Sequence, residues 1–591
     1  MLYFLPAHYP LVSGTPTLLA GPPATILLFL TPFLLLPPPL SHSHCGRRKN
    51  KKLEVTVMIG RLGDGHHHAT TIIKDRFLGF LIWQSFHSTF VYFICKTLLS
   101  PLAPSLTLLA AFFAFLFFQL SLLLFCTCLY LVSSPQFIRG VSPLELLVGL
   151  VKLIFVYRGQ PLPYDFRRRA KVTLSFLLFL ASSGVSAFLS VVCLSGSQVF
   201  GAIGLRGLVV GLIYGSHFLF SRRWVLEFPI IQRPLFFSYK MGILKAIVKA
   251  VKLSSAGYLV TLVLPIFLVN EHKSQRAMGD LIVEQILFYF ASGVVFLCWE
   301  LNCHLLQVFL TKRYLFAPPK GSAAAETNPS DHLLAALEET SPRSLLQHLA
   351  YLDLCMVSES NVDTWRRAAF FEETGDTYKK VIAVCLKPLE QLTLDLSEGL
   401  RSSPEKSFQL SHQLHSPTES SLREPFYDFQ VCAWCARIAS SLTVRSHKED
   451  RFGVAQLSGS NAATISTLLA CLLAVETLMG KKTNLQSSTQ YLTGPANIKW
   501  AALSPARRDA ITTNGMTANK KDDLHYSKAY SMADILRTSM YQIVSNFHQE
   551  MVSSSKAGLL EKDWIIAGKP LYGSHELLVQ KLRLFLEFQA N

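Results

Sequence analysis

SLTLLAAFFAFLFFQLSLLLFCTCLYLV, residues 105–132, is the stretch that decides the fold of this chain. It contains no Asp, Glu, Lys, Arg or His. About 20 mostly apolar helical residues cross the roughly 30 Å of hydrocarbon in a bilayer. An uncharged run of this length is rare in water-soluble chains, so the sequence predicts a membrane-spanning helix here.

Five further apolar runs surround this one. The predicted spans are Phe77–Leu99, Ser105–Val132, Val172–Leu194, Val199–Phe220, Ala256–Val269 and Ile282–Leu310. The fifth run is short, and it spans a membrane only if its helix begins before Ala256. The fold class is therefore predicted to be all-α: a polytopic membrane protein with six transmembrane helices, followed by an α-helical cytoplasmic domain.

The loops between the runs alternate between basic and uncharged. Residues 47–76 carry eight Lys or Arg, and residues 133–171 and 221–255 carry seven each, whereas residues 100–104 and 195–198 carry none. Lys and Arg in short loops are held on the cytoplasmic side of a membrane. An even number of crossings then predicts that both termini face the cytoplasm.

The overall composition fits this interpretation. Half of the 591 residues are hydrophobic, yet the formal net charge is +17. A membrane protein can carry such an excess along one leaflet, where anionic lipid headgroups attract it. Nucleic-acid binding is the rival explanation for the charge. Because most of the clustered charge flanks the spans, no direct nucleic-acid partner is expected.

The predicted division of the chain has four parts. Residues 1–75 form a disordered, Pro-rich and basic segment, 76–310 the six-helix transmembrane domain, 311–330 a linker, and 331–591 an α-helical domain with a flexible insertion at 397–424. The N-terminal apolar stretch precedes the first basic residue, Arg47, which is unlike a signal peptide. Met58 is a hypothetical alternative start.

Residues 241–253 form a predicted basic amphipathic helix. At 100° per residue, Ile243, Leu244, Ile247, Val248 and Val251 share a sector of roughly 140°, opposite Lys245, Lys249 and Lys252. Such a helix can lie in the headgroup plane with its apolar face in the leaflet. The alternative is a helix packed on the membrane domain, and the sequence does not decide between the two.

The ionisable residues within the spans are functional candidates by default, because burying a charge in a membrane is costly. They are Arg206, His217, Glu284, Glu300 and His304. They are too sparse to indicate a proton or ion relay. Cys432 and Cys435 form an isolated C-x-x-C in a predicted helix, which is a weak zinc signal. No catalytic, cofactor or metal site is predicted, and the chain is not expected to be an enzyme.

Two short stretches carry a family resemblance: EFPIIQR at Glu227–Arg233 and KEDRFGVAQ at Lys448–Gln456. With the six spans and the helical tail, they make the chain resemble a divergent, plant-like member of the Ndc-one (nuclear division cycle protein one) family of transmembrane nucleoporins. The resemblance runs from about Arg76 to near Phe588. The motif residues it singles out are Phe228, Pro229, Ile230, Ile231 and Gln232, then Glu449, Asp450, Arg451, Phe452, Gly453 and Val454.

The resemblance implies a protein that anchors the nuclear pore complex in the pore membrane of the nuclear envelope. It also implies support of pore assembly, and so of protein and mRNA transport. The implied partners are inner-ring scaffold nucleoporins and the WD-repeat protein aladin, with the tail facing the scaffold. The alternative function is an endoplasmic-reticulum membrane enzyme or transporter with a site inside the bundle.

The second motif has two possible physical roles. It forms a tight structural turn, or it contacts a partner protein directly. Asp450 can cap a helix, and Arg451 can pair with Glu449 or with a partner. Phe452 followed by Gly453 suits a tight turn that buries the ring. In the first motif, Pro229 prevents a helix from running through, which suits packing close to the membrane.

Overall fold

The structure is a computed structural model of the chain. It describes residues 54–99, 107–138, 140–141, 145, 164–195, 202–229, 231–268, 278–318, 321–323, 329–338, 344–361, 363–401, 425–490 and 516–590. Within these ranges all regular structure is helical, apart from one isolated bridge between Ser134 and Val225. Several of the helices are long and apolar enough to span a membrane. The predicted all-α, polytopic fold is therefore confirmed.

Each predicted span lies in one long helix. These helices are α1 (Glu54–Leu99), α2 (Leu108–Val132), α3 (Tyr164–Ser195), α4 (Ala202–Phe220), α5 (Leu235–Leu268) and α6 (Met278–Thr311). The predicted span ends at 105–106, 199–201 and 269 lie outside the described residues. Large apolar side chains cover the outward faces, as at Leu108 and Phe220, which are 90% and 88% exposed. Exposed apolar faces of this extent are expected where the surroundings are hydrocarbon.

Helix α1 begins at Glu54, well before the predicted start at Phe77. Residues 54–75 belong to the segment for which we expected disorder, and their backbone is helical instead. Three glycines and three histidines at 60–68 lower the helix propensity of this stretch. Propensity is a weak guide when a segment continues a long helix, since elongation needs no new nucleus. Residues 1–53 lie outside the described residues.

Helix α5 joins two features that the sequence suggested were separate. The amphipathic segment 241–253 and the short fifth span form one continuous helix of 34 residues, about 51 Å long at 1.5 Å per residue. Nothing between Leu253 and Ala256 breaks a helix, because Ser254 and Ser255 both continue it. The fifth span therefore does begin before Ala256, as its shortness required.

Helices α3 and α4 pack closely through small residues. Gly207, Gly211 and Gly215 are spaced by four on α4, so they share one face. A methyl group added at Gly211 would overlap the carbonyl oxygen of Ser183 and would lie 2.7 Å from Cβ of Ala187. Small residues at this spacing allow backbones to approach closely where lipid provides no hydrophobic drive for helix association.

The remaining helices follow the membrane helices in the chain. They are α7 (Asp331–Leu337), α8 (Leu345–Glu359), α9 (Thr364–Ala368), α10 (Asp376–Arg401), α11 (Phe429–Glu449), α12 (Val454–Leu457), α13 (Ser460–Gln490), α14 (Met516–Asn546), α15 (His548–Lys556), α16 (Leu560–Trp564) and α17 (His575–Ala590). Helix α10 includes the first part of the predicted insertion, residues 397–401, and residues 402–424 lie outside the described residues.

Helix α13 is the centre of this C-terminal bundle. Its Ser460–Gly480 stretch is long and apolar enough to cross a membrane, and 67% of the most apolar window is buried. Helices α10, α14, α16 and α17 all contact it. A helix that is apolar all round is expected either in a bundle core or in a membrane. Its position among these neighbours favours the bundle core.

The predicted linker 311–330 begins as packed chain. Helix α6 ends at Thr311, and five residues later Phe316 is only 4% exposed. Its ring meets Tyr314 edge-on at 4.9 Å between centroids. Its backbone N–H donates to Asp353 on α8, at 3.0 Å. The chain leaving α6 is therefore held against α8 from its first residues.

We expect Gly211→Ala to destabilise the membrane bundle, because the new Cβ overlaps the Ser183 carbonyl and neither backbone can move freely. Overpacking of this kind costs about 1–3 kcal/mol. The measurement is the thermal unfolding midpoint of the detergent-solubilised full chain. Gly293→Ala is the matched control on α6, since its Cβ would meet only Ser254 Oγ, at 3.8 Å. Equal midpoints for the two variants would contradict close α3–α4 packing.

Candidate functional site

The loop between α4 and α5 connects the membrane helices to the C-terminal bundle. Phe228, in the first motif, is 5% exposed. Its ring stacks on His348 of α8, with centroids 5.8 Å apart, and meets Trp434 of α11 edge-on at 5.5 Å. Gln430 of α11 donates to the Phe228 carbonyl at 3.5 Å. Phe228 therefore anchors this loop between two helices of the bundle.

The other residues of the first motif divide into internal and exposed positions. Gln232 accepts from the backbone N–H of Arg313 at 3.0 Å and donates to the Pro229 carbonyl at 3.2 Å. Pro229 is exposed, and Ile231 is 67% exposed. Ile230 lies outside the described residues. The motif thus packs through Phe228 and Gln232, while Pro229 and Ile231 remain on the surface.

A buried charge cluster lies at the same junction. Asp353 of α8 is fully buried and accepts from Arg313 Nε at 2.8 Å and from Arg366 Nη2 at 2.7 Å. Arg366 also donates to the Phe316 carbonyl, and Arg313 reaches Asp363 at 2.8 Å. Burial alone would lower the pKa of Arg313, but the two carboxylates outweigh burial and raise that pKa. The cluster joins the end of α6 to α8 and α9.

The second motif begins with an ion pair between the buried Arg367 and the partly exposed Glu449. Glu449, at the end of α11, accepts two hydrogen bonds from Arg367, at 2.6 and 2.7 Å. Arg367 is 1% exposed and also donates to the carbonyls of Val357 and Ser360. This bidentate geometry is the strong form of an arginine–carboxylate pair. It fixes the end of α11 to α8 and α9.

The residues after Glu449 form a braced turn. Asp450 accepts from the N–H groups of Phe452 and Ala455, at 3.2 and 2.8 Å, and so caps α12. Gly453 has φ +67°, which favours glycine. Val454 is buried and packs directly on Gly375. These contacts give the turn one fixed conformation.

Phe452 does not lie inside this turn. We expected the turn to bury its ring, but 52% of Phe452 is exposed, and Arg451 is exposed beside it. The Asp450 cap and the left-handed Gly453 direct the chain so that Val454, not Phe452, enters the interior. The motif therefore contributes both internal bracing and an outward-facing pair of side chains.

The three lysines of the amphipathic segment do not have equal surroundings. Lys245 and Lys252 are exposed, whereas Lys249 is half-buried. Val248 and Val251 are 46% and 54% exposed, and Ile247 is partly buried. The remaining face of α5, including Ala246, Ala250 and Ser254, is buried. Because α5 packs closely on α6, we assign this small-residue face to α6. The membrane-surface role of this segment stays a prediction.

Two of the ionisable span residues have defined internal partners. Glu300 is 3% exposed and forms a bidentate pair with Arg223, at 2.6 and 2.7 Å, and Tyr214 donates to it at 3.0 Å. His304 contacts the carbonyls of Ser238 and Tyr239 at 3.3 and 3.1 Å. Glu300 and His304 thus hold the loop after α4 and the start of α5 against α6.

Sequence reasoning missed Asp353, Arg366 and Arg367 altogether. Their contacts join residues far apart in the chain, such as Arg367 and Glu449, which are 82 positions apart. The one available signal is that Arg366 and Arg367 are adjacent and lie between aromatic residues, Trp365 and Phe370. Amphipathic patterning reads such a pair as solvent-exposed, and here both are buried.

The described residues contain no group of three or more His, Cys, Asp or Glu that could hold a metal ion. Cys432 and Cys435 are 2% and 0% exposed and lie in the bundle core with Cys385 and Cys355. Burial raises the pKa of the Cys435 thiol well above its ordinary value and that of Cys355 to about 12. The thiols of Cys435 and Cys355 are therefore neutral at physiological pH and poor nucleophiles.

We expect Glu449→Ala to destabilise the C-terminal bundle, because it leaves the buried Arg367 guanidinium without its carboxylate. Breaking a buried ion pair from one side costs about 3–5 kcal/mol. The measurement is the denaturant or thermal midpoint of the full chain. Arg451→Ala, two residues away and exposed, is the control and should change the free energy of unfolding by about 0.5 kcal/mol or less. A control variant as unstable as Glu449→Ala would contradict this assignment.

A comparison with protein families matches residues 191–428 to the family described as Nucleoporin protein Ndc1-Nup. No curated protein matches the chain. The matched region runs from the end of α3 to the start of α11, so it includes α4 to α6, the Phe228 loop and the Asp353 cluster. A nucleoporin family with membrane-spanning helices implies a place in the membrane of the nuclear pore. Residues 191–428 of this chain are thus similar to the Ndc1-Nup family, and this match supports an Ndc1-type transmembrane nucleoporin.

Proposed function

We propose that this protein anchors the nuclear pore complex in the pore membrane of the nuclear envelope. In this role α1–α6 cross the membrane, and the C-terminal bundle faces the pore scaffold. Inner-ring nucleoporins and aladin are the proposed partners of the bundle. By holding the scaffold to the membrane, the protein supports pore assembly, and through it the transport of protein and mRNA.

The observation that carries this proposal is the rigid junction between the two halves of the chain. An anchor transmits force from a scaffold to a membrane, so its soluble part must not be joined to its membrane part by a flexible linker. Here the chain leaving α6 is held by Arg313 on Asp353, and the loop after α4 is held by Phe228 against His348 and Trp434. Two separate connections from the membrane helices therefore meet the same bundle.

The polar residues of the membrane helices favour a structural role over catalysis or transport. Both carboxylate oxygens of Glu300 accept hydrogen bonds from Arg223 or Tyr214. A group occupied in this way is poorly placed to bind a substrate or relay a proton. The geometry around Glu300 thus supports a fixed internal pair.

The proposed orientation follows from the basic loops. Their charge supports a cytoplasmic, pore-facing position for the C-terminal bundle and for the loop from Ser221 to Pro234. Lys245 and Lys252 then point outward near the same leaflet, with the exposed Leu244, Val248 and Val251 beside them. This arrangement suits contact with anionic headgroups and acyl chains together.

A chain that ends after Ala317 should still insert in the membrane but should lose its scaffold partners, because every proposed partner contact lies in the C-terminal bundle. The measurement is recovery of inner-ring nucleoporins and aladin on pull-down, with a fluorescent fusion to follow enrichment at pores. The full-length Arg451→Ala variant is a control for expression and membrane insertion. Unchanged partner recovery by the truncated chain would contradict the proposal.

The orientation can be tested by glycosylation mapping, since only the lumenal side is glycosylated. An Asn-X-Thr acceptor carried in a long flexible Gly/Ser insert at residues 100–106 should be modified. The same insert placed after Asn591 should not. The readout is an endoglycosidase-sensitive mobility shift on a gel, and the reverse pattern would overturn the assigned orientation.

A further inference from the structure

A cluster of charged residues lies at one level of the membrane bundle. Helix α4 has 19 residues, about 28 Å, which matches the hydrocarbon thickness of a bilayer. Arg223 follows its end by three residues. Helices α5 and α6 are longer than α4. The part of α5 from Lys249 to its end and the part of α6 from Ile282 to Glu300 are each about as long as α4. Lys249, Glu300 and Arg223 therefore lie near the same membrane boundary.

Positive charge exceeds negative charge in this cluster. Lys249 interacts electrostatically with Arg223 and with Glu300, and so does His217 of α4. Arg223 already donates hydrogen bonds to both carboxylate oxygens of Glu300. The Tyr214 hydroxyl donates to one of the same two oxygens. Among the described ion pairs, none neutralises Lys249.

A half-buried ammonium that interacts with a guanidinium of like charge is unfavourable unless an anion accompanies it. The single carboxylate nearby balances only Arg223. Water can solvate the exposed Lys245 and Lys252, whereas Lys249 is only partly exposed, on a helix that packs against both α4 and α6. His217, which interacts electrostatically with Lys249, is exposed, so a ligand from the surrounding leaflet can reach this level of the bundle.

We propose that this charged cluster, where α5 packs against α4 and α6, binds the phosphate of an anionic lipid headgroup through Lys249, with His217 as a further donor. The proposal rests on the membrane orientation given under the proposed function, which places this level at the cytoplasmic headgroups. Basic crevices between transmembrane helices on the cytoplasmic side are established sites for anionic headgroups. A bound headgroup here would fix the protein in the leaflet at a defined depth.

The test uses the purified full chain in detergent, with phosphatidic acid added as the probe and phosphatidylcholine as the reference lipid. Phosphatidic acid should raise the thermal midpoint of the wild-type protein in a saturable manner. Lys249→Gln should weaken the apparent affinity about 10-fold or more, since a charge-assisted hydrogen bond contributes about 1.5–3 kcal/mol. Lys249→Arg should retain most of the effect.

Lys252→Gln is the matched control, because Lys252 lies one turn away on the same helix and is exposed. A loss of equal size in Lys252→Gln and Lys249→Gln would mean diffuse attraction and would overturn a built site. An equal midpoint shift with inorganic phosphate alone would identify a soluble anion and overturn the lipid assignment. These measurements in detergent do not depend on pore localisation, so failure of the anchoring proposal is detected separately, by partner recovery.

Discussion

The fixed relation between the membrane helices and the C-terminal bundle depends on the buried carboxylate of Asp353. Removing an ion of this kind from water costs several kcal/mol, and the cost is offset only when its partners are close and well oriented. Arg313, Arg366 and the N–H of Phe316 supply those partners. They come from the end of α6 and from α9, so the carboxylate has all of its hydrogen bonds only when these segments are correctly positioned against α8. We infer that the cluster contributes more to the specificity of this arrangement than to net stability.

Membrane thickness acts as a second constraint on the same region. Helix α4 is just long enough to cross the hydrocarbon, whereas α5 and α6 exceed it by roughly 20 Å each. Since α5 and α6 pack against each other along their length, their extra turns extend together past the end of α4. His304 holds the carbonyls of Ser238 and Tyr239 in that extension. The C-terminal bundle thus meets the extended ends of α5 and α6, which continue directly from the parts of these helices that cross the membrane.

Much of this fold follows from local sequence patterns, but the site does not. Apolar runs locate all six long helices, because crossing a membrane imposes a length and a composition that any window of residues reveals. The continuity of α5 was harder to predict, because the lysines of its first half suggested a separate surface helix. The pairing of Arg367 with Glu449 could not be predicted, because no local pattern records which distant partner a charge will meet. Phe452 shows the same limit, since the direction of the chain after Asp450 decides whether its ring is inside.

Arginine and lysine have different surroundings at the junction and on α5. The buried carboxylates Glu300 and Asp353 are both matched by arginine. Arginine stays charged when buried, and its planar fork satisfies both oxygens of a carboxylate. Lysine is a strongly hydrated point charge on a flexible stem, and Lys245 and Lys252 are exposed. Arginine therefore makes the internal contacts that fix the junction, while Lys245 and Lys252 of α5 remain available to the membrane surface. Lys249 differs from these two lysines, since it is half-buried and interacts with Arg223, whose partner Glu300 already accepts from both Arg223 and Tyr214. Its position is best explained if its counter-ion comes from outside the chain.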